Sequence, residues 1–233
     1  MTTNAAQPAK AGEETLLATL EQKVAPAHAA LMVVDVQNDF VADGGFFDRI
    51  AADVKTVQKS IPNLVRLTDR ARAAGVLVIF VQAIYDAQYL SPPMRERNQR
   101  RGIEMPRCLT GSWGADFYAV RPAGAPVVIK HRYSAMYDTE LDALLQRHAI
   151  RSLLLTGVAT DTCVESTGRD AYFAGYYVTM VADCCAAASE SDHLGALKRF
   201  DRDYGAIVTS DEVIGAWERF GLQAQAAAAN ANR

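Results

Sequence analysis

Three side chains of this 233-residue chain could together perform nucleophilic catalysis: Asp35, Lys130 and Cys163. Each stands at the end of an apolar run or in the turn after one, as expected at the end of a buried strand. Ligands of open α/β sheets bind outside the carboxyl ends of the strands, so the three should share one edge. A cysteine nucleophile needs a base or a positive neighbour. Lysine is long enough to cross much of the roughly 10 Å between strands two positions apart.

The nucleophile lies in the segment from Thr156 to Thr167, which follows three leucines. The pattern predicts a buried strand, a tight turn beginning at Gly157, and the start of a helix. Thr162 and Glu165 have the spacing of a capping box, which would place Cys163 in the first helical turn. Free backbone N–H groups and the helix dipole favour a thiolate there. We therefore expect a reactive cysteine, although a charged Asp161 nearby would oppose its ionisation.

The elements that must position these residues alternate regularly along the chain. Strands are predicted at 30–34, 76–81, 126–129, 151–156, 177–181 and 206–208. Helices are predicted at 13–24, 53–74, 139–148, from Cys163 to 174, 190–204 and 210–221, the last with Ser210 as N-cap. Near-continuous apolar strands between helices indicate an α/β fold with three α/β/α layers and a six-stranded, mostly parallel, Rossmann-like sheet.

One catalytic domain is predicted at residues 28–222, after an N-terminal extension (1–27) whose first twelve residues look loose. The short helix of the extension should dock on the domain or on a neighbouring subunit. A flexible tail is predicted at 223–233. Residues 84–125 form an active-site insert without a strand, and long irregular inserts are often lids or binding loops. Five arginines of the insert are either a solvated surface run or an attraction for an anionic substrate: Arg95, Arg97, Arg100, Arg101 and Arg107.

Composition argues against several classes of protein. The formal net charge of −3 gives no reason to expect nucleic acid or an anionic membrane surface as partner. No apolar run approaches the ~20 residues that cross a bilayer, and no secretory signal is visible at the start. The four cysteines lack the ligand spacing of a zinc site, and adjacent Cys184 and Cys185 read as two small core residues. We expect a reduced, cytoplasmic protein without metal or other cofactor.

Three motifs, in this order, resemble the isochorismatase-like cysteine hydrolases. They are Val34-Asp35-Val36-Gln37-Asn38-Asp39-Phe40, Ile129-Lys130 before Arg132-Tyr133-Ser134, and Thr156 to Val164; with the strand rhythm they cover about residues 28–215. Members of that family mostly cleave C–N bonds of small amides. The resemblance implies a triad of Asp35, Lys130 and Cys163 and a cis peptide between Val158 and Ala159. It also implies that the backbone N–H groups of Ala159 and Cys163 form an oxyanion hole.

Within the family, the chain is most similar to the ureidoacrylate amidohydrolase branch, with biuret and triuret hydrolases as relatives. The residues that fit are Gly111-Ser112-Trp113, Arg132-Tyr133-Ser134 and Cys163-Val164-Glu165-Ser166-Thr167, followed by Arg169-Asp170. Ala83 departs from that branch, which has Asn after the corresponding Gln82. Metal-containing nicotinamidases have an Asp and two His after this strand, whereas no histidine follows it here before His131.

The resemblance implies a cysteine-dependent amidohydrolase of a small ureido or carbamoyl compound of the biuret, triuret or ureidoacrylate type. The reaction would pass through a thioester and release ammonia, or a carbamate and an amine. A hydrolase of N-carbamoyl amino acids or of another small amide is the alternative within the family. Two alternatives come from other classes of protein. The first is an isochorismatase-type ether hydrolase, which does not need a cysteine, so that Cys163 counts against it. The second is a redox thiol protein, which would need a resolving cysteine, and none is near Cys163 in sequence.

The pocket and the assembly are less defined in the sequence. Candidate substrate contacts are Phe40, Gln82, Trp113, Tyr133 and Tyr137. Asp39 is expected to be structural, fixing the loop after the first strand, and His131 is not expected to act as a base. The partner is a small amide substrate, and the family resemblance implies a homo-oligomer, a dimer or a tetramer.

Overall fold

The computed structural model describes residues 15–103 and 105–231. Its centre is an all-parallel sheet with the strand order β3-β2-β1-β4-β5-β6. The strands are Ala29–Val34 (β1), Leu77–Ala83 (β2), Val127–Lys130 (β3), Ser152–Val158 (β4), Tyr177–Ala186 (β5) and Ala206–Val208 (β6). The predicted α/β architecture is therefore confirmed, and the sheet is wholly rather than mostly parallel.

Helices cover both faces of the sheet. They are Leu20–Val24 (α1), Asn38–Val41 (α2), Phe46–Arg49 (α3), Val54–Ala73 (α4), Pro92–Arg100 (α5), Leu141–Arg147 (α6), Glu165–Phe173 (α7), Glu190–Asp203 (α8) and Ser210–Ala231 (α9). Side chains alternate across β1: Leu31 and Val33 join the core under α1, α4 and α9, whereas Met32 and Val34 join the core under α6, α7 and α8. This alternation is the two-residue period of a strand. None of the helices described is long and apolar enough to span a bilayer.

The chain leaves β1 toward one side of the sheet and returns to β4 on the other. β1 and β4 are neighbours in the sheet although they are distant in sequence. The strand order therefore reverses between them, and such a reversal opens a crevice at the carboxyl ends where ligands bind in α/β folds. Asp35 and the Cys163 turn stand at the two sides of this crevice.

The two ends of the chain differ from their predictions. The first helix is shorter than expected and begins only at Leu20, with a capping box between Thr19 and Gln22. It docks on its own domain, where Trp217 Nε1 donates to the Val24 carbonyl over 2.8 Å. The loose segment predicted for residues 1–12 lies outside the described residues.

The prediction that the last helix ends at Gly221 is wrong, because it continues to Ala231. Alanine has the highest helix propensity of all residue types. The alanine-rich stretch after Gln223 therefore extends the helix past Gly221. The N-cap is also displaced by one residue. Thr209, not Ser210, exchanges hydrogen bonds with Glu212.

The insert at residues 84–125 has no strand among its described residues, as expected, and contains the helix α5. Pro92 and Pro93 open that helix at positions where a missing N–H costs nothing. Four of its five arginines match the surface interpretation, since Arg95, Arg100 and Arg101 are exposed and Arg97 is half-buried. Arg107 does not, because it is buried.

Candidate active site

Asp35 follows β1 directly and adopts an unusual backbone conformation. Its φ of 51° lies in the left-handed region, which non-glycine residues rarely occupy and which clusters at functional sites. The neighbouring strand meets this position through Gly157, whose φ is 104°. A Cβ on Gly157 would lie 2.0 Å from the Val34 carbonyl oxygen, so only glycine allows the two strands to approach here.

Lys130 ends β3, two strands away from β1, and its side chain crosses that distance. Its ammonium lies 2.7 Å from Asp35 Oδ2, and both side chains are 0% exposed. The same nitrogen donates to Cys163 Sγ over 3.4 Å and to the Arg132 carbonyl over 2.9 Å. One buried cation therefore contacts the carboxylate and the thiol, and the structure brings together the three side chains that the sequence proposed.

Cys163 lies on a π-helical turn, Thr160–Val164, that leads into α7. The predicted capping box is wrong, because the N-cap residues of this turn and of α7 are Ala159 and Val164, whose side chains have no acceptor. Glu165 is instead buried and accepts hydrogen bonds from Arg169 and Arg199. Two guanidinium partners bind a carboxylate more strongly than one backbone N–H does.

The turn is held by hydrogen bonds to two neighbouring elements. The peptide before it, Val158–Ala159, is cis. A hydrogen bond of 2.8 Å joins Thr160 Oγ1 to His193 Nδ1 on α8. Thr167 donates to the Cys163 carbonyl over 2.7 Å and accepts from the Ala135 N–H over 3.0 Å. These contacts fix the Cys163 turn to α8 and to the loop after β3. The role of Cys163 as nucleophile and the oxyanion-hole role of Ala159 and Cys163 stay predictions.

Burial is the largest single influence on the pKa of each of the three side chains, but for Lys130 the neighbouring groups together outweigh it. It raises the pKa of Asp35 above its ordinary value even though Lys130 opposes the shift. Burial alone would lower the pKa of Lys130, but Asp35 and Cys163 raise it well above its usual range. Burial raises the pKa of Cys163 to about 12, with Lys130 lowering and Asp35 raising it. Burial therefore disfavours the resting thiolate that the helix start predicts, and the thiolate stays a prediction.

The predicted substrate contacts are scattered. Phe40 is buried in the core, and the Gln82 amide donates to the Ala115 carbonyl over 2.8 Å. Tyr133 is partly buried against the core. Trp113 and Tyr137 are 54% and 59% exposed. These positions leave their assignment as substrate contacts a prediction.

The loop after β1 is fixed by two polar side chains. Asp39 accepts from the backbone N–H groups of Phe46 and Cys108, at 3.0 and 2.6 Å. Gln37 exchanges hydrogen bonds with the backbone of Ala83 at the end of β2. Gln37 belongs to the first of the three motifs, Val34 to Phe40, and that motif is the only sequence signal that it connects the loop to β2.

Two further residues near the triad were not recognised in the sequence. The Tyr85 ring centroid lies 5.9 Å from Lys130 Nζ, and its buried hydroxyl has no hydrogen-bond partner among residues 15–103 and 105–231. Arg107 packs on the same ring. No local pattern marks either residue, since both reach this position through the fold of the insert. Across residues 15–103 and 105–231, no group of three or more His, Cys, Asp or Glu side chains is arranged to hold a metal ion.

Comparisons with known proteins agree with this fold. The Isochorismatase domain family matches residues 29–213. Ureidoacrylate amidohydrolase RutB from Enterobacter sp. (strain 638) is 36% identical over 200 residues, covering 79% of this chain and 87% of that protein. Among solved structures, an isochorismatase-like hydrolase from Alkaliphilus metalliredigens is similar with a TM-score of 0.67 and 25% identity, over 82% of this chain and 99% of its own.

The structure of N-carbamoylsarcosine amidase from Thermoplasma acidophilum has a TM-score of 0.65 and 28% identity, over 79% of this chain and 97% of its own. The fold and these relatives define a hydrolase built on a parallel sheet with helices on both faces. The chain belongs to the isochorismatase family.

Proposed function

We propose that this hydrolase is a cysteine-dependent amidohydrolase that cleaves a C–N bond of a small ureido or carbamoyl compound through an S-acyl intermediate on Cys163. The observation that carries the proposal is the contact of Lys130 with both Asp35 and Cys163, in which the side chains of Lys130 and Asp35 are 0% exposed. The similarity to ureidoacrylate amidohydrolase RutB supports a ureido substrate.

The first half of the reaction forms the intermediate. As Cys163 Sγ bonds to the substrate carbonyl carbon, its proton passes to the Asp35 carboxylate. The raised pKa of Asp35 makes this carboxylate a stronger base than an exposed one. Lys130 offsets the negative charge that moves between the two groups. The N–H groups of Ala159 and Cys163 are the proposed donors to the oxyanion.

The second half releases the products. Asp35 returns its proton to the departing nitrogen, the C–N bond breaks, and ammonia or an amine leaves. A water then attacks the carbonyl carbon, Asp35 takes a proton from it, and the C–S bond breaks. That proton passes to the sulfur and restores the thiol. A ureido carbonyl would give an S-carbamoyl cysteine and then carbamate.

A panel of small amides tests the proposal by ammonia and amine release. It includes ureidoacrylate, biuret, triuret, an N-carbamoyl amino acid, maleamate and nicotinamide. We expect turnover of ureido compounds that Cys163→Ala abolishes and Cys184→Ala retains, since Cys184 is buried in β5 outside the site. Equal turnover by the Cys163→Ala protein would refute the proposal.

N-carbamoyl amino acids are the second candidate substrates. The structural similarity to N-carbamoylsarcosine amidase favours them. Turnover confined to these compounds would select this alternative, because they carry the same ureido group on a saturated carbon. The homo-oligomer stays a prediction, which light scattering of the purified protein tests.

A further inference from the structure

Among the described residues, Arg107 is a buried cation to which no side chain supplies an anionic partner. It is 9% exposed, and its guanidinium carbon lies 5.1 Å from the Phe46 ring centroid and 4.9 Å from that of Tyr85. No hydrogen bond or ion pair to Arg107 is formed within residues 15–103 and 105–231. Buried charges in proteins are normally paired, since an uncompensated one is strongly destabilising. A side chain buried in this way is suited to an anion that the protein itself does not supply.

Arg107 lines a cavity of about 240 Å³ together with Arg49 and Trp113. The carboxylate in its wall, Asp39, is already occupied: it accepts from two backbone N–H groups and lies 3.5 Å from Arg49. Asp39 therefore neutralises at most Arg49, and the cavity keeps the positive charge of Arg107. This cavity has room for a carboxylate group and a few neighbouring atoms.

Tyr85 connects this cation to the triad. Its ring centroid lies 4.9 Å from the Arg107 guanidinium carbon and 5.9 Å from Lys130 Nζ. Burial raises the pKa of the Tyr85 phenol well above its ordinary value, so it keeps its proton at neutral pH. Its hydroxyl is buried, and no described residue accepts from it. It is thus a second donor, on the ring that packs against Arg107, without an acceptor in the described part of the chain.

Arg107 and Lys130 both lie on the Tyr85 ring, so one substrate could reach them with its two ends. In ureido acids, standard bond lengths place the carboxylate carbon roughly 3–5 Å from the ureido carbonyl carbon. The carbonyl would sit at Cys163, next to Lys130, and the carboxylate would extend past the Tyr85 ring. A guanidinium binds a carboxylate through two parallel hydrogen bonds, which fixes orientation as well as affinity.

We propose that Arg107, assisted by the Tyr85 hydroxyl, binds the carboxylate of the substrate and selects ureido acids over neutral ureides. This inference rests on the proposed function, because it assumes that the substrate is a ureido compound. It separates the substrates that the family resemblance leaves together: ureidoacrylate and N-carbamoyl amino acids carry the carboxylate, whereas biuret and triuret do not.

The test compares kcat/KM for ureidoacrylate and for biuret in matched variants. Arg107→Met keeps the packing between the rings and removes the charge. We expect kcat/KM for ureidoacrylate to fall about 10- to 100-fold, the loss of a charge-assisted hydrogen bond, and kcat/KM for biuret to stay within about threefold. Arg107→Lys should recover part of the loss. The control is Arg70→Met, an exposed arginine in the last turn of α4, which leads to the amino end of β2.

Two outcomes would overturn the inference. Equal losses for ureidoacrylate and biuret would assign Arg107 a structural role. Non-competitive inhibition by acetate in the wild-type protein, lost in Arg107→Met, would make the cavity a separate anion site. If Arg107→Met does not fold by near-ultraviolet circular dichroism, Arg107→Lys and Tyr85→Phe replace it, and both should weaken ureidoacrylate turnover more than biuret turnover.

A binding measurement distinguishes a failure of this inference from a failure of the proposed function. Calorimetry with ureidoacrylate and the Cys163→Ala protein measures carboxylate recognition without turnover. If wild type hydrolyses no ureido compound but Arg107→Met still abolishes this binding, the proposed function fails and the anion site stands. If wild type is active and Arg107→Met leaves the binding unchanged, the anion site fails and the proposed function stands.

Discussion

Asp35 and Lys130 form an ion pair of 2.7 Å in which both side chains are wholly buried. The effective penalty for removing each charge from water is several kcal/mol, which the pair recovers only through good geometry and further hydrogen bonds. Lys130 obtains those bonds from Arg132 and Cys163. The pair therefore contributes little to the stability of the fold. It makes Asp35 more reactive, because a carboxylate removed from water is a stronger base toward the neighbouring thiol.

Removing Lys130 should destabilise the protein in a pH-dependent way. Lys130→Ala leaves the buried Asp35 without its cation, a loss of about 3–5 kcal/mol of unfolding free energy at neutral pH. The pKa of Asp35 is already raised by burial and would rise further, so the folded state binds its proton more tightly than the unfolded state. Stability should therefore fall as pH rises through the folded pKa.

Urea unfolding between pH 5 and pH 8 measures this dependence. The matched control is the double variant Asp35→Asn with Lys130→Met, which buries no charge and should restore most of the stability. A Lys130→Ala protein that is more stable at pH 8 than at pH 5 would contradict the raised pKa of Asp35.

Alkylation of Cys163 by iodoacetamide should accelerate steadily with pH. Because the thiol pKa is about 12, the thiolate fraction grows about tenfold per pH unit up to that value. Site-resolved mass spectrometry should show Cys163 reacting faster than the other three cysteines, whose pKa values burial also raises. A plateau near pH 8 would indicate a thiolate at rest.

Lys130 also lowers the pKa of Cys163. Lys130→Ala should therefore slow alkylation at every pH in that range, whereas Lys198→Ala, at an exposed position on α8, should not. An unchanged rate in the Lys130→Ala protein would remove the assigned electrostatic role of Lys130.

Gly157→Ala should lower stability and turnover more than a glycine substitution at a position with positive φ but free space for a Cβ. Gly75 is the matched position: its φ is 76° and a Cβ there meets nothing within 4 Å. Gly75→Ala should cost about 1–2 kcal/mol, the left-handed penalty alone. Gly157→Ala adds a contact of 2.0 Å with the Val34 carbonyl and displaces Asp35. Thermal unfolding and turnover measure both effects; equal losses of stability in the two variants would mean that the strands part easily.

The strands and the triad could be predicted from the sequence because their signals are local. Apolar runs mark the strands, and parallel strands bring their carboxyl ends to one edge, so the convergence of Asp35, Lys130 and Cys163 follows from topology. The length of β5 was underestimated: it runs to Ala186 and takes in Cys184 and Cys185 as buried free thiols.

The errors have a common physical origin in long-range contacts. Glu165 matches a capping box locally, but Arg199 on α8 provides a stronger partner. The helix start favours a thiolate at Cys163, but burial outweighs it. The burial of Arg107 depends on Phe46 and Tyr85, which are distant in sequence. The hydrophobic periodicity and the residue spacing of the sequence do not predict these contacts, because they join residues of different elements.

The most direct test of cysteine catalysis is the intermediate itself. The purified protein is mixed with ureidoacrylate, quenched in acid within the first turnovers, and analysed by intact and peptide mass spectrometry. We expect the mass of one acyl or carbamoyl group on the peptide that contains Cys163, absent after longer incubation and absent in Cys163→Ala. Substrate turnover without any adduct on Cys163, or with equal turnover by Cys163→Ala, would contradict covalent catalysis at this residue.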